Sequence, residues 1–192
     1  RLASAIERPG YTQAQRGALE LLLREATQRL TAAINEDADA DSPTVILHLG
    51  RAQFYDPTLC ATLRRSLRDS NLPPAALEFT VDERAVLHDL PAAGEILTQM
   101  HEIGVRTNVR EFGALTADQL ESLGVSAVTI DFWNSKRDER VSRYVAESVR
   151  TAHQLQLPVT AARAEMPDEI EFARALGCER IASPHPQDTA SP

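Results

Sequence analysis

Short apolar runs alternate along most of the chain with longer segments whose apolar residues recur at helical spacing. An amphipathic segment over about Gln13–Ile34 comes first and predicts a helix. The acidic stretch at residues 35–43 has no periodicity and predicts a solvated loop. Six strand-like runs then follow: Thr44–Leu49, Ala76–Thr80, Arg106–Phe112, Ala127–Phe132, Pro158–Ala162 and Arg180–Ser183.

Segments with helical spacing and recognisable end signals separate these runs. Thr116 with Gln119 is a capping-box sequence, and Gly124 ends the helix that it begins. The longest of these predicted helices covers about Asp138–Gln156. Its predicted buried stripe is Val141, Tyr144, Val145, Ser148, Val149, Ala152 and Leu155. Its other face carries Arg140, Arg143, Glu147 and Arg150.

The alternation of strands and helices predicts an α/β fold. Since no two-residue hairpin signal joins any pair of runs, the strands need crossover connections and therefore form a parallel sheet. An eightfold barrel is the first choice, and an open doubly wound sheet is the second. No G-x-G-x-x-G or P-loop sequence follows a strand, which favours the barrel. The predicted organisation is a helix and acidic loop over 1–43, a barrel portion over 44–186 and a disordered tail over 187–192.

Composition excludes several classes of protein. The chain has 192 residues and a net charge of −8, which argues against binding to a nucleic-acid polymer. No apolar stretch approaches the roughly 18 residues of a membrane helix, so we predict no membrane insertion and a cytoplasmic location. Cys60 and Cys178 are predicted to be reduced, structural thiols. Because the sequence starts at Arg1 without methionine, we expect a fragment of a longer polypeptide.

Polar side chains lie at the carboxyl ends of the predicted strands, where a parallel barrel builds its site. The candidate site residues are His48, Glu78, Arg110, Glu111, Asp131 and Glu165. The four carboxylates among them come from successive strand ends and could together hold Mg²⁺ or Mn²⁺. The alternative is that they are solvated loop acids.

Five segments together resemble consecutive pieces of an EAL domain, the barrel-shaped phosphodiesterase of bacterial cyclic-di-GMP signalling. They read TVILHLGRAQFYDPTL, LEFTVDERAVL, GVRTNVREFG, VTIDF and PVTAARAEMPDEIEFARALGC, and the likeness spans about Leu19 to Pro186. The resemblance implies two metal ions held by carboxylates, an amide and water. These ions would activate a hydroxide that cuts cyclic-di-GMP to the linear dinucleotide.

Most of the implied ligand positions differ here. The resemblance puts His48 in the place of an asparagine, and it places Arg110 and Glu111 where the family has paired aspartates. The remaining changes are Val81 for the second glutamate of E-I-T-E, Thr129 for the lysine of K-I-D, Ala162 for the first glutamate of A-E-G-V-E, and Ala182 with Ser183 for Q-G. Glu78, Asp131 and Glu165 keep their carboxylates.

Arg110 would put a permanent cation roughly 4 Å from a divalent ion, which is strongly repulsive. We therefore predict that Arg110 acts as an internal counter-ion for Glu78, Glu111 or Asp131. Residues 20–24 are similar to E-A-L-L-R but lie inside the first predicted helix. The first barrel strand and its glutamate are therefore expected outside this chain or deleted.

The resemblance thus indicates a degenerate, truncated EAL domain without catalysis and without a cofactor. We expect it to regulate signalling by contact with a protein partner, with the predicted helix at 138–156 as the leading surface and a solvated charged face as the alternative. Homodimerisation is typical of the EAL family, but no sequence feature demands it.

Cyclic-di-GMP binding is not favoured. The alternatives are a non-hydrolysing cyclic-di-GMP receptor and a residual phosphodiesterase that needs Mg²⁺ or Mn²⁺. Arg163 would contact a phosphate or lie exposed in solvent.

Overall fold

The computed structural model of the protein describes residues 2–4, 21, 23, 24, 28, 44–70 and 72–182. The chain forms two compact units, residues 1–107 and 108–192. The four described residues between 21 and 28 are helical, as predicted. The predicted acidic loop at 35–43 and tail at 187–192 lie outside the described residues, and the proposed domain boundaries stay predictions.

The first unit contains three parallel strands, in the order β1 (Leu2–Ser4), β2 (Val45–Leu49) and β3 (Leu77–Asp82). β3 is buried along all but its last residue, because a parallel strand is covered on both faces. β1 was not predicted: the sequence analysis expected the first barrel strand outside this chain or deleted, whereas residues 2–4 form a strand parallel to β2. Its three residues are too few to show a strand period, and they pair with β2, which the sequence indicated as the first strand.

Four helices and one 3₁₀ turn accompany these strands. They are α1 (Arg51–Phe54), α2 (Leu59–Ser70), the 3₁₀ turn (Pro74–Ala76), α3 (Glu83–His88) and α4 (Leu90–Ile103). Asp89 caps the amino end of α4, since its Oδ1 accepts a hydrogen bond from the Ala92 N–H at 3.1 Å. Gly104 ends α4 with a φ of 88°, a conformation that favours glycine. α1 and α3 were missed because each is shorter than two helical turns.

The second unit continues the alternation with parallel strands in the order β4 (Arg106–Arg110), β5 (Ala127–Asp131), β6 (Val159–Ala162) and β7 (Arg180–Ala182). β4 begins in the last two residues of the first unit, and its residues from Asn108 pair with β5. The connecting helices are α5 (Ala117–Leu123), α6 (Glu139–Gln154) and α7 (Pro167–Ala175). The predicted capping box of α5 is present, with the Gln119 N–H donating to Thr116 Oγ1 at 3.3 Å.

β5 carries the core of the second unit. Alternate side chains along β5 and at the residue after it are fully buried, namely Val128, Ile130 and Phe132. Phe132 meets the Phe172 ring of α7 edge-on, with ring centroids 6.1 Å apart. This packing fixes the end of β5, where the polar side chains of the site begin.

The predicted burial of Tyr144 is wrong, because its side chain is 46% exposed. The phenol lies across the loop after β4, so that a Cβ at Gly113 would overlap the Tyr144 hydroxyl. A glycine is therefore required for this close approach. Of the other predicted stripe residues, Val145, Ser148, Val149 and Ala152 are buried as expected, whereas Val141 and Leu155 are partly exposed.

Candidate functional site

The carboxyl edge of the second unit presents a row of three residues from neighbouring strands. Asp131 ends β5, Ala162 ends β6 and Ala182 ends β7, and the parallel register places them side by side. Residues paired in register point to the same face of a sheet. One carboxylate therefore stands beside two methyl groups at the positions that the resemblance implied as an aspartate, a glutamate and a glutamine.

Arg163 neutralises this carboxylate. Its guanidinium contacts Asp131 through two donors: Nε lies 3.1 Å from Oδ1, and Nη2 contacts Oδ2. The Trp133 N–H also donates to Oδ1 at 2.9 Å. Two-donor contacts between arginine and carboxylate are among the stronger protein hydrogen bonds. Both oxygens of Asp131 are consequently engaged by the protein.

The backbone directs Arg163 toward Asp131. Arg163 follows the last residue of β6 and has a φ of 54°, in the left-handed region that few residues other than glycine adopt. Its guanidinium also lies 5.8 Å from the ring centroid of Trp133, whose side chain is 58% exposed. Arg163 is thus exposed, as one reading of the sequence expected, but it is also paired with Asp131.

Arg110 and Glu111 occupy the end of β4. Arg110 pairs in register with Thr129, which lies two residues before Asp131 on β5. Glu111 is exposed and has a φ of 55°. Of the three acids predicted as partners of Arg110, Asp131 is in contact with Arg163. The pairing of Arg110 with Glu78 or Glu111 stays a prediction.

Glu165 is exposed in the loop between β6 and α7. The loop is fixed by a different acid, Glu169, which is 3% exposed and accepts hydrogen bonds from the Glu165 and Met166 N–H groups, both at 3.2 Å. Glu169 satisfies two backbone donors that precede the helix, as helix-capping side chains do. The structure therefore assigns a structural carboxylate that sequence reasoning missed, although a glutamate just inside a helix start was a usable signal.

In the first unit, His48 is 7% exposed and lies beside Thr80 and Asp82 of β3. Its Nδ1 is 3.2 Å from Thr80 Oγ1, and its Nε2 is 3.7 Å from Asp82 Oδ2. The register explains these neighbours, because His48 pairs with Thr80 whereas Glu78 pairs with Ile46.

Glu78 is 2% exposed and lies near the start of β3 rather than at its end. A guanidinium lies close to it, since Arg106 Nε is 3.9 Å from Glu78 Oε2. Arg106 also donates from Nη2 to Thr44 Oγ1 at 2.6 Å. A buried carboxylate requires such compensation. Sequence reasoning missed Arg106, because the pairing joins residues far apart in the chain.

The described residues contain no cluster of three His, Cys, Asp or Glu side chains arranged as metal ligands. The two best-placed acids, Glu78 and Asp131, each have a guanidinium neighbour instead.

Both cysteines are free thiols, and burial raises the pKa of Cys178 to about 11 and that of Cys60 above its usual value. Neither thiol is therefore ionised for nucleophilic chemistry near neutral pH. Within the described ranges, we find no helix with the length and apolarity needed to cross a bilayer.

Sequence comparison identifies the relatives of the chain. The profile of the EAL domain family matches residues 3–182. The cyclic di-GMP phosphodiesterase NbdA of Pseudomonas aeruginosa is 26% identical over 162 residues, which are 80% of this chain and 19% of that protein. The signaling protein YkoW of Bacillus subtilis is 24% identical over 145 residues, 72% of this chain and 18% of that protein. The chain spans about a fifth of the length of the curated relatives that it matches.

Comparison of structures gives the same picture. The PaMucR phosphodiesterase in complex with c-di-GMP has a TM-score of 0.80 at 25% identity, over 88% of this chain and 68% of that chain. The FimX EAL domain has a TM-score of 0.73 at 18% identity, over 91% of this chain and 75% of that chain, a likeness of fold alone.

Proposed function

This chain belongs to the EAL domain family and has its parallel, TIM-like α/β fold, and on that premise we propose that it is a catalytically inactive, regulatory member of the family. It does not hydrolyse cyclic-di-GMP, and it acts through contact with another protein. Its similarity to the cyclic di-GMP phosphodiesterase NbdA supports a role in cyclic-di-GMP signalling.

One observation carries this proposal: the Asp131 carboxylate is held by the Arg163 guanidinium. A metal ion at Asp131 would have to displace that guanidinium or share the carboxylate with it. A divalent ion and a guanidinium about 4 Å apart repel each other by about 8 kcal/mol at an effective dielectric constant of about 20, before salt screening. Sharing is therefore disfavoured, and displacement costs the two-donor contact.

The neighbours of Asp131 offer no replacement ligand. The row continues from Asp131 to Ala162 on β6 and Ala182 on β7. Both have methyl side chains that cannot bind a cation. A hard divalent ion such as Mg²⁺ prefers several oxygen ligands from the protein, the substrate and water. One carboxylate already paired with arginine is a poor basis for a two-metal site.

A second candidate function is reception of cyclic-di-GMP without turnover. It is favoured by the likeness to the PaMucR phosphodiesterase, whose structure contains c-di-GMP and which is 25% identical to this chain. A receptor would need to hold the dinucleotide with side chains alone. The large exposed aromatic Trp133 could stack on a base, and Arg163 could exchange Asp131 for a phosphate.

Turnover and binding distinguish these proposals. We expect no linear dinucleotide after incubation of the purified chain with cyclic-di-GMP and excess Mn²⁺ or Mg²⁺, because most of the implied metal ligands are replaced and Asp131 is held by Arg163. Chromatography of the products measures turnover, and calorimetric titration with the dinucleotide, with and without Mn²⁺, measures binding. An active EAL domain treated identically is the control. Metal-dependent product would overturn the proposal, and micromolar binding without product would favour the receptor instead.

A further inference from the structure

The solvent-facing side of α6 is strongly basic. Arg140, Arg143 and Arg150 are all exposed and lie on one face of the helix, and Lys136 and Arg137 are exposed in the turn just before it. We call these five residues the α6 basic face. Residues 136–150 contain five basic and three acidic side chains, a net charge of +2, whereas the whole chain has a net charge of −8.

The arginines of the α6 basic face form no ion pair within the described residues, although the exposed Glu147 lies among them on the same side of the helix. Among residues 44–70 and 72–182, no carboxylate forms a salt bridge with the guanidinium of Arg137, Arg140, Arg143 or Arg150. Asp138, the acid closest in sequence, caps the helix, since its Oδ1 accepts the Arg140 N–H at 2.8 Å. Four arginines that make no internal ion pair are available to a ligand of opposite charge.

We considered three partners for this face: a second copy of the chain, a nucleic-acid polymer and an acidic polypeptide segment. The first two are disfavoured. A second copy packed through the same face about a twofold axis would place arginines against arginines, which costs free energy. A nucleic-acid polymer is charged along its whole length, so the net charge of −8 repels it beyond the contact region, whereas a short acidic segment needs to approach only the basic face. An acidic polypeptide segment meets neither objection, and the exposed phenol of Tyr144 at the border of the face adds an aromatic contact of the kind enriched at protein interfaces.

We propose that the α6 basic face is the docking surface for an acidic segment of a partner protein. This proposal rests on the proposed function, because it names the chemistry of the partner through which an inactive domain would act. Carboxylates of the partner would pair with the arginines, so that association is fast and sensitive to salt.

The test uses a fluorescent peptide of alternating glutamate and alanine as the probe and the full chain as the receptor. Fluorescence anisotropy should give saturable binding that weakens at least about tenfold between 50 and 300 mM salt, since exposed ion pairs are screened. The double variant Arg140→Glu, Arg143→Glu should lose at least about tenfold in affinity. Arg68→Glu, Arg84→Glu, which reverses two exposed arginines of the first unit and changes the net charge equally, should bind like the native chain.

Three results would overturn the proposal. One is the absence of binding, and another is equal loss of affinity in both double variants. The third is binding of single-stranded DNA, of anionic phosphatidylserine vesicles or of a second copy through this face more tightly than the acidic peptide. Circular dichroism spectra of the variants establish that they are folded. The outcome is independent of cyclic-di-GMP turnover, so failure of this proposal and failure of the proposed function are seen in different measurements.

Discussion

The double variant Ala162→Glu, Arg163→Gly is expected to bind Mn²⁺ at least about tenfold more tightly than the native chain. The first change places a second carboxylate in register beside Asp131, and the second removes the cation that occupies it. Glycine suits position 163 because the native φ there is 54°. Mn²⁺ affinity is measured by titration followed with electron paramagnetic resonance of the free ion.

The matched control is Ala162→Gln, Arg163→Gly, which has nearly the same shape and lacks the new charge. It should gain much less affinity than the carboxylate variant. If the native chain and both variants bind Mn²⁺ equally, Arg163 does not control the charge at this edge, and the explanation offered for inactivity fails.

Replacement of Phe132 by alanine is expected to lower the free energy of unfolding by about 3 to 5 kcal/mol. The ring is fully buried and packs edge-on against Phe172. Its removal leaves a cavity directly after the end of β5, where Asp131 is positioned. Urea denaturation followed by circular dichroism measures the loss.

Trp133→Ala is the control for that measurement, since the neighbouring side chain is 58% exposed. It should cost less than about 1 kcal/mol, because little apolar surface is uncovered and the contact with Arg163 is exposed. Equal costs for the two substitutions would contradict the described orientation of this strand end.

Much of the fold could be predicted because its signals are local. Strand-like runs and end signals such as Thr116, Gln119 and Gly124 depend only on neighbouring residues, and all appear in the structure as expected. β1 was not predictable in this way, because a strand of three residues is defined by its pairing with β2 and not by its own pattern. Tyr144 has the spacing of a buried residue, but its long side chain reaches the loop at Gly113 instead.

The site was predictable in its residue types and less so in its pairings. The loss of ligands at Ala162 and Ala182 can be read directly from the sequence. Arg110 was predicted as the counter-ion of Glu78, Glu111 or Asp131, whereas the structure shows Arg163 in contact with Asp131 and Arg106 near Glu78. The partner of Asp131 is set by the strand register and by the left-handed backbone of Arg163. A single sequence reveals neither.

The central claim is that arginine, and not a divalent metal, occupies the Asp131 carboxylate. Crystals of the chain soaked with Mn²⁺ and cyclic-di-GMP test it most directly, through anomalous diffraction at a wavelength where manganese scatters. We expect Asp131 to remain in contact with Arg163 and no anomalous peak within coordination distance of Asp131. Two manganese ions bridged by a phosphate of the dinucleotide, with Arg163 displaced from Asp131, would contradict the claim.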